Sequence, residues 1–208
     1  MSDFGCCHGG DHAASPEVPV LRSIDFDAIR CLNEAVEGTS RALLRAHCSS
    51  ADKAAFCDSD GSDPELLLHI PFTSTVRLRG LCISAAEGAC PASVSLFVNS
   101  PGMTFSDLEG RAPAQEVALA GAGPSGTVFY PLRAARFNTV LSLQLAFRGV
   151  LGAPPGEGEG PVRLYFVGLL GEATGFKKGV VECTYEVRPS AVDSGGVLGG
   201  GASSLPGK

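Results

Sequence analysis

The chain has 208 residues, 44% of them hydrophobic and only 18% charged, with 27 Gly, 14 Pro, three Tyr and no Trp. That length and apolar content suit one folded unit with a sizeable core. A net charge of −6 without a basic run argues against coating nucleic acid, and no stretch approaches the ~20 apolar residues of a membrane helix.

Residues 1–16, MSDFGCCHGGDHAASP, are small and polar and read as a disordered leader without the apolar segment of a secretory signal. Cys6, Cys7, His8 and His12 are close enough to hold Zn²⁺ or Cu⁺. With no core around them nothing fixes ligand geometry, so a tail rather than a metal site is expected. The default compartment is the cytosol, extending to the nucleus. Thiols there stay reduced, so free thiols are expected at Cys31, Cys82, Cys90 and Cys183. No C-x-x-C redox pair occurs.

Helical signals are thin and confined to Phe26–Leu32 and Arg41–His47. Asp58–Asp63 is half a calcium loop, lacking a third acidic position before Gly61 and a terminal Glu, and is expected to be a solvated acidic turn. Glu65–Ile70 then reads as a weak strand. Val76 and Leu78 alternate with Arg77 and Arg79 in a second strand running to Ile83. Val94, Leu96 and Val98 alternate with Ser93, Ser95 and Asn99, although Phe97 breaks the polarity of the outer side. Gln115–Leu119 and Thr127–Leu132 are weaker candidates. Leu141, Leu143, Leu145 and Phe147 point one way, and Ser142, Gln144, Ala146 and Arg148 the other. Gly149–Pro161 is a Gly/Pro surface loop. Val162, Leu164 and Phe166 alternate with Arg163 and Tyr165, Val180–Val187 is a last weak strand, and Ser190–Lys208 is a Gly-rich tail. About eight short strands without crossover helices imply an all-β antiparallel sandwich, a jelly roll, over residues 17–189.

No nucleophile elbow, zinc-protease, Walker or dinucleotide motif is present. His69, in the apolar run LLLHIPF, is expected to be a packed or outward-facing residue rather than a base. No catalytic residue, cofactor or metal ligand is assigned. The loop Asn99–Asp107 is unusual, because Met103 and Phe105 follow the Pro101-Gly102 turn in what should be an exposed connection. They either fold back as a lid or present an apolar contact, with Asp107 as a turn cap or as the contact's rim. Basic residues gather late, at Arg133, Arg136, Arg148, Arg163, Lys177, Lys178 and Arg188. They form a solvated face or a docking patch for an acidic partner. Met103, Phe105, Asp107, Arg136, Lys177 and Lys178 are therefore the candidate partner-binding residues.

Several spaced segments resemble one family. Cys31-Leu32-Asn33-Glu34 resembles the opening motif of the PITH domain, as does Asp63–Phe72, an acidic lead into a strand ending Ile-Pro-Phe. Asn99-x-Pro-x-Met-x-Phe-x-Asp107 with Pro113-x-Gln115, then Arg136–Leu143, then Leu164–Gly171 follow in the family's order. The resemblance spans about residues 18–189 and includes the Gly/His/Cys leader of stand-alone members. It implies a jelly roll similar to galactose-binding-like domains and to the Doc domain of a ubiquitin ligase. It also implies the role for which the family is named, attaching thioredoxin-like proteins to the proteasome regulatory particle. With no C-x-x-C, redox activity does not carry over. The expectation is a monomeric, non-enzymatic protein-interaction module of the proteasome or ubiquitin pathway. The alternative is a jelly roll that binds a small ligand or carbohydrate with loops at one end.

Overall fold

The computed structural model describes residues 20–44, 53–61, 63–121, 126–153 and 160–177. Among them are eight strands: β1 Arg30–Leu32, β2 Cys57–Asp58, β3 Leu66–Ala85, β4 Pro91–Val98, β5 Gln115–Ala118, β6 Val128–Pro131, β7 Val140–Val150 and β8 Arg163–Lys177. Among the described residues the one α-helix, α1 Phe105–Leu108, is a single turn, and no helix there is long and apolar enough to cross a membrane.

Strand β3 organises the architecture. Its first part, Leu66–Pro71, pairs with β1 on one edge and β7 on the other. Its second part pairs with β8 and β6. Register with β7 shifts between Pro71 and Val76, and with β8 between Ser74 and Val76, so the strand passes from one sheet to the other there. One layer is β5-β4-β7-β3-β1 and the other β2-β8-β3-β6, with every pairing antiparallel. Leu66, Leu68 and Ile70 face the same core as Leu78, Leu81 and Ile83, joined by Leu143, Leu145, Phe147, Leu164 and Val167. This is an antiparallel jelly roll.

Several local expectations change. Glu65–Ile70 and the strand ending at Ile83 are one 20-residue strand rather than two, because each half finds different partners in the two layers. Phe26–Leu32 is not helical throughout. A 3₁₀ turn covers Phe26–Ala28, and Arg30–Leu32 is drawn into strand pairing with Leu67–His69. Thr39–Leu43 is also a 3₁₀ turn. Asp58 is not a solvated turn residue: in β2 its carboxylate accepts two N–H bonds from Arg163, from Nε and Nη2, each 2.7 Å. Leu141 is 36% exposed while Val140 is fully buried, because the β3 register shift exchanges their roles.

The outer face of the first layer is covered. Ser142, Gln144 and Ala146 are buried although strand alternation turns them away from the main core. Leu67, Phe97 and Ala146 form a second, smaller core with Met103 and Leu108 from the segment after β4. That cover is what the broken polarity at Phe97 reflects. The leader, residues 154–159 of the Gly/Pro loop, the Val180–Val187 strand and the Gly-rich tail lie outside the described residues.

Candidate interaction surfaces

The segment 99–111 begins with a residue that holds a left-handed conformation. Asn99 has φ 54°, which Asn tolerates better than most side chains. Its Oδ1 accepts the Leu141 and Ser142 N–H groups at 2.7 and 3.2 Å, and its Nδ2 donates to the Thr139 carbonyl at 2.9 Å. The loop is thereby fastened to the start of β7. Gly102, at φ 73°, completes the turn. Met103 is 8% exposed and packs on the second core, and Phe105 is half-buried against it. Asp107 is exposed; its Oδ2 accepts the Thr104 N–H and hydroxyl, both at 2.8 Å, closing the turn of α1. Those bonds hold its carboxyl below the usual range.

Phe105→Ala is expected to cost about 2 kcal/mol, less than the ~3–5 kcal/mol of a fully buried Phe, because its ring is only partly covered. Chemical denaturation checks this. Unchanged stability with lost partner binding would make the ring a contact rather than a cover.

The other expected site residues are dispersed. Arg136 is exposed in the 3₁₀ turn Ala134–Arg136. The backbone of Lys177 pairs with Ser74 at the end of β8; its side chain and all of Lys178 lie outside the described residues. Arg148 and Arg163 carry acidic partners, Glu65 at 3.4 Å and Asp58 at 2.7 Å, which removes both from a free basic patch.

A surface that was not singled out in the sequence lies on the outer face of the second layer. The β3–β8 register shifts between Leu78 and Gly80, placing Arg79 and Gly80 together on the outer side while Leu78 and Leu81 stay buried. Phe129 of β6 stands opposite Cys82 and is 53% exposed, and its ring lies over Gly80. Leu170 of β8 stands opposite Gly80 and is 45% exposed. Arg77 and Arg79 border this apolar strip, and both bond to Glu172, at 2.7 and 3.2 Å. The Arg77 bond, and then the charge of Arg79, hold the Glu172 carboxyl low. The signal for Phe129 was legible: Val128, Tyr130 and Leu132 alternate inward, which leaves Phe129 outward.

Among the described residues His69 is the one histidine. Its Nδ1 lies 3.0 Å from Gln144 Nε2, and burial with the Arg30 charge holds its pKa below the ordinary value. Half-buried against Gln144, it is a packed residue of the first layer. Elsewhere, Cys31, Glu34 and Cys57 converge around the junction of β1 and β2, with their ligand atoms all within 4.8 Å of one another.

Comparison with known proteins agrees with this architecture. Residues 11–189 match the PITH domain family model. A PITH domain-containing protein of Drosophila melanogaster is 35% identical over 196 residues, covering 91% of this chain and 89% of that protein. PITH domain-containing protein 1 of Xenopus laevis is 34% identical over 195 residues, with 91% and 89% covered. The Homo sapiens protein of that name is 32% identical over 172 residues, with 82% and 77% covered. Among solved structures, a family 89 glycoside hydrolase from Clostridium perfringens aligns with TM-score 0.51 at 10% identity over 79% of this chain, which spans 16% of that one. The CpGH89CBM32-5 module of the same organism, in complex with GalNAc-β-1,3-galactose, aligns with TM-score 0.50 at 7% identity over 73% of this chain and 97% of that one. At such identities the likeness is one of fold, the galactose-binding-like jelly roll. Matched along nearly its whole described length, and to relatives of similar extent, the chain belongs to the PITH domain family.

Proposed function

We propose that this chain is a non-catalytic interaction module that docks on the proteasome regulatory particle as a monomer, in the cytoplasm and nucleus. The observation that carries the reading is the PITH family match across residues 11–189. The surface that suits docking is the Phe129–Leu170 strip, an apolar centre with a charged border, as interface cores and rims are built. Arg136 is exposed close by in the chain path, where the neighbouring Phe137 carbonyl accepts the Leu78 N–H at 2.9 Å, and we assign it to the same border. Arg77 and Arg79 share the single Glu172 carboxylate, so with Arg136 the border keeps a net positive charge, which favours an acidic partner and makes association fall with salt. Met103, Phe105 and Asp107, with Lys177 and Lys178, form a second set of proposed contacts. Resemblance to sugar-binding modules is one of fold, which leaves carbohydrate binding the weaker reading.

The test is affinity purification of the tagged full chain from cells, with proteasome subunits scored beside a Leu170→Asp variant. The wild type is expected to recover regulatory-particle subunits. The variant should recover at least about tenfold less, the loss matching ~1.4 kcal/mol, with its melting temperature unchanged. A wild type that recovers none, or a variant that retains them all, overturns the proposal. Binding in a glycan screen without proteasome recovery would favour the carbohydrate reading.

A further inference from the structure

The convergence of Cys31, Glu34 and Cys57 is not explained by docking. Cys31 lies in β1 and Cys57 in β2, 26 positions apart in sequence, and Glu34 follows the left-handed turn at Asn33, φ 69°. The two segments are held side by side by a Glu34–Ser59 bridge, by the Ala35 N–H donated to Asp58 O at 2.9 Å, and by the Asp60 N–H donated to Asn33 O at 2.9 Å. Asn33 Nδ2 fixes the turn from outside through the Asp63 and Glu65 carbonyls, at 3.2 and 2.7 Å. The ligand atoms therefore sit on paired backbone rather than on a loose loop, which is the condition for a preformed site.

The carboxylate is oriented in advance. Glu34 Oε1 accepts the Gly38 N–H at 2.7 Å, and Oε2 accepts the Ser40 N–H at 3.0 Å and the Thr39 hydroxyl at 3.3 Å. Oε2 also lies 3.9 Å from Cys57 Sγ. Outer contacts of this kind hold metal-binding side chains in place. Cys57 is fully buried, whereas Cys31 and Glu34 border a cleft that also includes Asp27, Gly38 and Arg41. In that cleft Arg41 Nη2 donates to the Asp27 carbonyl at 3.2 Å.

The protonation of the pair follows from the same geometry. The hydrogen bond between the thiols raises Cys31 and lowers Cys57. Glu34 raises both thiols and Asp58 raises Cys57.

We propose that Cys31, Glu34 and Cys57 form a binding site for a thiophilic divalent cation, Zn²⁺, with a fourth ligand supplied by solvent from the cleft. Two thiolates exclude Mg²⁺ and Ca²⁺, which take oxygen ligands, and the carboxylate favours Zn²⁺ over Cu⁺. Binding joins two strands that otherwise meet through few backbone bonds, so the ion stabilises the β1–β2 corner. The site is separate from the Phe129–Leu170 strip and does not depend on the docking proposal.

The test uses the full chain, reduced, carrying Cys6→Ser and Cys7→Ser so that the leader thiols cannot contribute. Zn²⁺ is titrated against a chromophoric chelator, and Co²⁺ serves as the spectroscopic probe. One equivalent of Zn²⁺ should bind and raise the melting temperature, and Co²⁺ should give thiolate-to-cobalt charge-transfer absorption. Adding Cys57→Ser should weaken Zn²⁺ binding by about 100-fold or more, since losing a ligand exceeds the 10–100-fold cost of losing an outer contact. Glu34→Gln keeps both sulfurs, so it should weaken Zn²⁺ yet retain the charge-transfer band even if Cys57→Ser proves too unstable to titrate. Failure to bind an equivalent, binding that survives both substitutions, or a Cys31–Cys57 disulfide forming in place of metal binding would each overturn the site.

Discussion

Gly171→Ala is expected to lower the melting temperature by about 6–12 °C, the equivalent of ~3 kcal/mol at the top of the overpacking range for a chain of this size. Gly171 stands opposite Leu78 where β8 crosses β3. A Cβ there would overlap the Arg77 carbonyl oxygen and lie 2.9 Å from Leu78 Cα, both main-chain atoms of the neighbouring strand. Neither can rotate aside, so the pairing of Arg77 with Glu172 and of Leu78 with Gly171 has to open. Two other glycines on the same strands provide the comparison. At Gly168 the obstruction is the Phe166 ring at 2.7 Å, and at Gly80 it is the Phe129 ring, whose Cζ would be 2.7 Å away. Phe166 is 6% exposed and has little room to move, whereas Phe129 is 53% exposed and can swing into solvent. Thermal melts should therefore order the losses Gly171→Ala, Gly168→Ala, Gly80→Ala. Equal losses at Gly80 and Gly171 would show that the main-chain approach is not what limits the site. Gly80→Ala also moves Phe129, so it should disturb docking more than stability.

Phe147→Ala should cost about 3–5 kcal/mol, a large share of the 5–15 kcal/mol typical of a folded domain. Phe147 is 0% exposed in β7, between Leu66 of β3 and Val94 of β4. Its ring fills the space between the layers, and the paired strands on both sides limit collapse into the cavity. Leu141 lies on the same strand, but it is 36% exposed, so Leu141→Ala should cost less than about 1 kcal/mol. Urea denaturation of the two variants separates position from residue type. Equal costs would place the core elsewhere on β7.

Local geometry follows from the residue pattern alone. In a strand successive side chains point to opposite faces, so the alternations Leu143–Phe147 and Val94–Val98 assign sides, whereas beyond Leu164 the β3–β8 register shift leaves Phe166 out of the main core and turns Val167 into it. The absence of helical periods between them sets the all-β class, and several motifs in the family's order identify the PITH domain. Which faces are covered and which distant residues meet depend on strand pairing and packing. Ser142, Gln144 and Ala146 read as a solvent face, yet the segment carrying Met103 and Leu108 buries that face, an outcome set by contacts across 40 or so positions rather than by local pattern. Leu66–Ala85 reads as two strands because Pro71 and the polar run Thr73–Thr75 interrupt the alternation; the two layers make it one. Cys31 and Cys57 carry no recognisable metal spacing, and they meet because the chain near Glu34 bridges to Ser59 beside β2. Phe129 and Leu170 come together only because β6 and β8 flank the same stretch of β3. Side-chain direction is a property of the local backbone, whereas burial and juxtaposition are properties of strand pairing, which no short window of sequence contains.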